Sequence, residues 1–168
     1  RNQLLIDLAP EGIDSIEVLT PSTVFSVLSE PPQNAQLRWS LTQGSERMAT
    51  ATLDQQKLLR FVRRVGRLRI GRASEAELLE SVVELQIRSG ESVQLLKFSA
   101  PNAGRALVTL DDQVYEVAST LVEQCLLGQD QFLDRRFFRY SPRQDFDTIS
   151  LKVPGQEARL LQQDLATG

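Results

Sequence analysis

Val82-Val83-Glu84-Leu85-Gln86-Ile87-Arg88-Ser89-Gly90-Glu91-Ser92-Val93-Gln94-Leu95-Leu96-Lys97-Phe98 is the stretch that decides the fold class. Up to Arg88, apolar and polar residues alternate, the two-residue period of a strand with one face buried. Ser89-Gly90-Glu91 then supplies a turn, and Val93 to Phe98 is again strand-like, so the segment reads as a β-hairpin. A hairpin joins its strands locally and antiparallel, with no crossover helix.

The same grammar extends toward the C-terminus. Pro101-Asn102-Ala103-Gly104 is a loop, and Ala106–Leu110 and Val114–Val117 flank Asp111-Asp112-Gln113 as a second hairpin. Ser119 is placed to cap a helix carrying Leu121, Val122, Cys125 and Leu126, closed by Gly128. Phe132–Phe138 reads as one or two helical turns, and Phe146–Val153 as a returning strand.

Toward the N-terminus, Ile13–Leu19 and Leu37–Leu41 alternate as strands, and Val24–Leu28 is a short strand ended by Glu30-Pro31-Pro32. Gly44 and Ser45 open a loop. Thr52 is the expected N-cap of a helix, with Gln55 in capping-box position and Asp54 in the first turn. Leu58, Leu59, Val62 and Val65 give that helix one apolar face, and Gly66 is its expected stop. Leu68–Ile70 reads as a short strand and Ser74–Ser81 as a second, weaker helix.

These elements predict an α+β fold, mostly antiparallel hairpins packed against two main helices. At 168 residues the chain has room for one domain, or for two similar subunits over 1–73 and 74–145 with 146–168 opening or closing a repeat. Ile13–Leu28 aligns without gaps against Phe146–Leu161, with Asp14/Asp147, Ile16/Ile149, Pro21/Pro154 and Leu28/Leu161 identical. Two unrelated hairpins could match this well by composition, or the chain holds an internal β-β-β-α repeat.

Composition removes several function classes. The chain has no histidine, which excludes His-centred hydrolytic, zinc and di-iron sites. A net charge of −3 provides no global basic field for nucleic acid. One cysteine, Cys125, precludes an internal disulfide. No apolar run reaches the roughly 18 residues of a membrane-spanning helix, although an upstream signal or anchor is an open expectation.

The strongest candidate site is cationic. Lys57, Arg60, Arg63, Arg64, Arg67, Arg69 and Arg72 follow one another with no acidic residue between them. On a helix, Lys57, Arg60, Arg64 and Arg67 fall in one stripe opposite the apolar face. Such a stripe suits an anion, an acidic lipid surface or an acidic partner. The plainer alternative is a solvated face, partly neutralised by Glu75, Glu77, Glu80 and Glu84. No aromatics interleave with these cations, which counts against single-stranded nucleic acid.

Other motifs carry less. Gly66–Ala73 has the glycine spacing of a phosphate-binding loop but lacks its lysine and hydroxyl, and it follows a helix rather than a strand. Arg135, Arg136, Arg139 and Arg143 lie among Phe132, Phe137, Phe138 and Tyr140, where arginines over a core explain the pattern as well as anion binding does. Asp111-Asp112 reads as a turn. Cys125 reads as core, lacking a base to ionise it. Trp39, between Leu37 and Leu41, reads as packing at a sheet–helix seam. The residues call for no cofactor.

Several segments together resemble a known family. Ile13–Val18 with Val24–Leu28, Arg38-Trp39-Ser40-Leu41, the Leu53–Leu68 helix and Val114-Tyr115-Glu116-Val117 are similar to its successive elements. So are Phe132–Phe137 and Phe146-Asp147-Thr148-Ile149. This is the bacterial domain-of-unknown-function 4340 family, often encoded beside gliding-motility-type ABC transporter components. Ala76–Ser81 stands where that family has a proline-containing loop, and Asn102-Ala103-Gly104 replaces a longer glycine-rich turn. The resemblance implies an extracytoplasmic or periplasmic protein tethered by an N-terminal membrane anchor, and it carries over no catalytic residue. The resulting expectation is a non-enzymatic interaction or scaffold domain of the bacterial envelope with a protein partner. An anion- or acidic-lipid-binding module is the alternative.

Overall fold

A computed structural model describes residues 3–77, 80–135, 148–151 and 159–162. The chain divides into two compact units, Arg1–Asp134 and Arg135–Gly168.

The first unit is built on ten strands. They are β1 (Gln3–Leu4), β2 (Ser15–Leu19), β3 (Val24–Gln33), β4 (Gln36–Gln43), β5 (Glu46–Met48), β6 (Arg69–Ala73), β7 (Val83–Ser89), β8 (Ser92–Phe98), β9 (Arg105–Leu110) and β10 (Gln113–Ala118). Helix α1 (Gln55–Gly66) follows β5, and α2 (Thr120–Leu126) follows β10. The strands form one sheet in the order β1-β6-β10-β9-β8-β7-β2-β3-β4-β5, and every neighbouring pair is antiparallel. Two four-stranded meanders, β2 to β5 and β7 to β10, therefore meet where β2 pairs with β7. The α+β class expected from the sequence is found, with a large antiparallel sheet and two helices.

Alternation sets the buried face. Ile16 lies opposite both Val27 and Ile87, while Val18 lies opposite Phe25 and Leu85, and all six are buried. Each buried side chain of this size contributes roughly 1.5–3 kcal/mol by leaving water. Leu58, Phe61, Val62 and Val65 of α1 and Leu121, Val122 and Cys125 of α2 join the same core. Phe132, in a 3₁₀ turn at Gln129–Phe132, stands edge-on to Phe25 at 6.0 Å and to Phe61 at 5.3 Å. Edge-to-face contact suits the aromatic quadrupoles and locks that turn between sheet and helix.

Several local expectations are corrected. β3 does not end at Leu28 but runs through Pro31 and Pro32 to Gln33. The prolines sit where the β3–β4 register shifts, beyond the last β2 partner at Leu28, so no ladder needs their missing N–H. A two-residue turn at Asn34-Ala35, both left-handed, closes that ribbon. Gly44-Ser45 is a tight turn into β5 rather than the start of a longer loop. The cap of α1 is Asp54, not Thr52; its Oδ1 accepts from the amides of Gln56 and Lys57 at 3.1 Å. Thr52 instead ends a 3₁₀ turn, because Leu53 must reach the core before the helix can start. The described residues of Ser74–Ser81 are not helical, and the three glutamates in eight residues leave little apolar side chain to hold a helix against the core.

The second unit contains a two-stranded antiparallel hairpin, β11 (Thr148–Leu151) and β12 (Arg159–Gln162). Both segments of the gapless alignment thus hold hairpins. Their registers differ by one residue: Ile16 pairs with Val27, whereas Ile149 pairs with Leu161 rather than Leu160. Since a one-residue slip exchanges faces, the second hairpin is not an exact copy of the first.

Candidate functional site

Helix α1 exists because its inner face is apolar and its N-terminus is capped. Its outer face is what remains. Lys57, Arg60, Arg63, Arg64 and Arg67 are all exposed there. At ~100° per residue, Lys57, Arg60 and Arg64 fall within an arc of about 60° on α1, with Arg63 flanking it, while Arg67 follows as the C-cap residue beyond the last helical turn. Among the described residues none of these five forms an ion pair.

Two of them are held in place. Arg60 Nε donates to the Gln56 carbonyl at 3.3 Å, and Arg64 Nη1 donates to Gln124 Oε1 at 2.7 Å, linking α1 to α2. The glutamates that could have neutralised the row are occupied or distant. Glu84 faces Lys97 at 3.9 Å and accepts from Ser81, and no ion pair joins Glu75, Glu77 or Glu80 to the helix among the described residues. Arg63, Arg64 and Arg67 lie at the C-terminal end, where the helix dipole favours cations, so the cluster is tolerated without counter-charges. It is an exposed cationic surface on a rigid element, held by Leu58, Phe61, Val62 and Val65 beneath it.

The rest of the basic run goes elsewhere. Arg69 and Arg72 leave the helix for β6, so Gly66–Ala73 is the end of a helix followed by a strand and not a phosphate loop. Arg72 donates from Nε and Nη2 to Glu116 Oε1, both at 3.2 Å, and Arg105 Nη1 donates to Glu116 Oε2 at 3.0 Å. Beside them is a pocket of about 410 Å³ whose lining includes Arg69, Gly71, Gly104, Arg105, Glu116 and Ala118. Sequence reasoning missed this group. Its members lie on three strands, and only the β6–β10–β9 pairing brings them together.

The remaining candidates are structural. Asp111 and Asp112 are exposed and left-handed in the β9–β10 turn. Cys125 is buried, and loss of hydration pushes its thiol up to about 12 from 9.0, the reverse of what a nucleophile needs. Trp39 is fully buried, and its backbone amide and carbonyl are clasped by the Gln55 side chain. Arg135 is exposed, while Arg136, Arg139 and Arg143 lie outside the described residues. No group of three or more potential metal ligands occurs among the described residues. No helix among them is long and apolar enough to cross a membrane.

Comparison with family models, with curated proteins and with solved structures finds no match for the chain.

Proposed function

We propose that this chain is a non-enzymatic interaction module that recognises an acidic protein partner through the outer face of α1. The observation that carries the reading is the row Lys57, Arg60, Arg64 and Arg67, exposed on a rigid helix without ion-pair partners among the described residues. An exposed cationic row attracts acidic chains and speeds encounter, and it gives up little on binding because no internal ion pair must break. The lack of histidine and the suppressed ionisation of Cys125 favour binding over catalysis. The resemblance set out above supports placing the module in the bacterial envelope, membrane-tethered and associated with an ABC-type transporter. Two meanders, each followed by a helix, support reading it as an internal repeat, with the β11–β12 hairpin as a variant further copy.

A second reading keeps the surface and changes the partner: α1 lies on anionic lipid headgroups, each basic residue contributing about 1 kcal/mol near such a surface. Fluorescence anisotropy with a labelled polyglutamate peptide, beside sedimentation with phosphatidylglycerol vesicles, separates the two. The leading reading expects peptide binding that weakens with salt and disappears in a Lys57→Glu/Arg60→Glu/Arg67→Glu variant. Vesicle binding without peptide binding would select the lipid reading. Salt-insensitive binding, or binding kept by the triple variant, would reject both.

A further inference from the structure

A second cluster of arginines lies on β6 and β9, on the sheet face opposite the helices. Along β6, Ile70 is buried while Arg69 and Gly71 are exposed. Along β10, Val117 is buried while Glu116 and Ala118 point away from the core. The pocket of about 410 Å³ is therefore lined chiefly by residues on the face opposite the one the helices cover. That volume falls in the range of small-molecule sites.

The charge around it is organised. Glu116 is the only acidic residue of the lining, and its side chain is 19% exposed. It accepts from Arg72 through one oxygen and from Arg105 through the other, so Arg72 is held along one edge and Arg105 by Nη1 alone. Arg105 uses only Nη1 in this contact, leaving its other N–H groups for a ligand. The Arg69 side chain makes no hydrogen bond or ion pair among the described residues. Two guanidinium groups against one carboxylate leave one positive charge in the lining, and Arg72, bound to the same carboxylate from outside it, adds a second nearby. Gly71 and Gly104 keep the floor and rim free of side chains, so a ligand can approach the backbone there.

We infer that this pocket binds a small dianion, a phosphate monoester, with the phosphate held between Arg69 and Arg105 and the organic part filling the remaining volume. Guanidinium forks match tetrahedral oxyanions geometrically, and two net positive charges match a dianion better than a monocarboxylate. Glu116 acts as a positioning residue: it fixes Arg72 and Arg105 rather than touching the ligand.

Isothermal titration with phenyl phosphate tests this, with benzoate as the monoanionic comparison. The expected result is one site for phenyl phosphate, weaker binding of benzoate, and a loss of about tenfold in Arg69→Gln and in Arg105→Gln. Arg60→Gln, on α1, should leave it unchanged. Glu116→Gln separates positioning from bulk charge: it raises the net positive charge, yet it should weaken binding by releasing both arginines. Three results would each overturn the proposal: no heat up to about 10 mM phenyl phosphate, tighter binding in Glu116→Gln, or sensitivity to Arg60 in place of Arg69. Amide spectra showing the native dispersion in each variant exclude misfolding as the cause.

Discussion

At Gly66 a hydrogen stands where any other residue would place a carbon 2.4 Å from the carbonyl oxygen of Leu8. Leu8 cannot easily yield, because its own amide donates to the Gly66 carbonyl at 2.8 Å. Gly66→Ala should therefore destabilise the protein by roughly 1–2 kcal/mol, overpacking outweighing the helix preference of alanine, as read from urea midpoints. The sequence presents Gly66 as a helix stop; its closer constraint is this contact, with a residue 58 positions earlier that no local pattern reveals. Gln55 was legible only in the wrong role. Its Nε2 donates to the Trp39 carbonyl and its Oε1 accepts from the Trp39 amide, both at 2.8 Å. The amide thus stands in for a neighbouring strand where β5 has already ended at Met48. Gln55→Ala leaves both partly buried backbone groups without it, and a loss of about 2 kcal/mol is expected in the same assay. At Cys125 the folded state raises the thiol to about 12 against 9.0 when exposed. Below pH 9.0 the thiol is protonated in both states and its contribution is fully present. As pH rises from there toward 12, only the unfolded chain ionises, so stability falls by up to about 1.4 kcal/mol per pH unit. Denaturation across that window should show this slope in the wild type and lack it in Cys125→Ala.

Among the elements, the β3–β4 ribbon departs furthest from expectation. Pro31-Pro32 reads as a terminator because proline cannot donate to a ladder, yet the strand continues where no ladder needs the donor. What stops it is the turn at Asn34-Ala35, with φ of 53° and 58°. Left-handed backbone is costly for alanine, so Ala35→Gly should stabilise the ribbon by about 1 kcal/mol and raise the melting temperature. A loss of stability would show that the turn is not the left-handed pair described. Strands whose apolar and polar residues alternate, such as β7 and β2, were readable because their periodicity is local. The N-cap of α1 moved from Thr52 to Asp54 for a reason that sequence cannot supply: Leu53 has to be buried and forms an isolated antiparallel bridge to Leu133, 80 residues on. The Arg69–Arg105–Glu116 group was hidden in the same way, since it depends on which strands are neighbours.

For the first unit as a whole, the sheet crosses any boundary drawn at residue 73. β2 borders β7, and β6 borders β10, so strands up to residue 73 pair with strands after it at two places. A fragment ending at Ala73 would expose the β2 edge and the apolar residues Ile16 and Val18 that pack beside Leu85 and Ile87. It should remain largely unfolded by circular dichroism; a cooperative melt of that fragment would instead make the first half an independent domain. The class of the fold was legible because antiparallel hairpins announce themselves, but the order of the meanders was not, since β2–β7 and β6–β10 pairings are long-range. The sheet and α2 fix α1, through the buried Leu58, Phe61, Val62 and Val65, with its cations outward.

Amide chemical-shift mapping during titration with polyglutamate tests that role most directly. The expected shifts concentrate on the exposed positions of Gln56–Arg67, shrink as salt is added and are absent in the triple charge-reversed variant. Shifts centred on any other surface, or a pattern indifferent to salt, would contradict it.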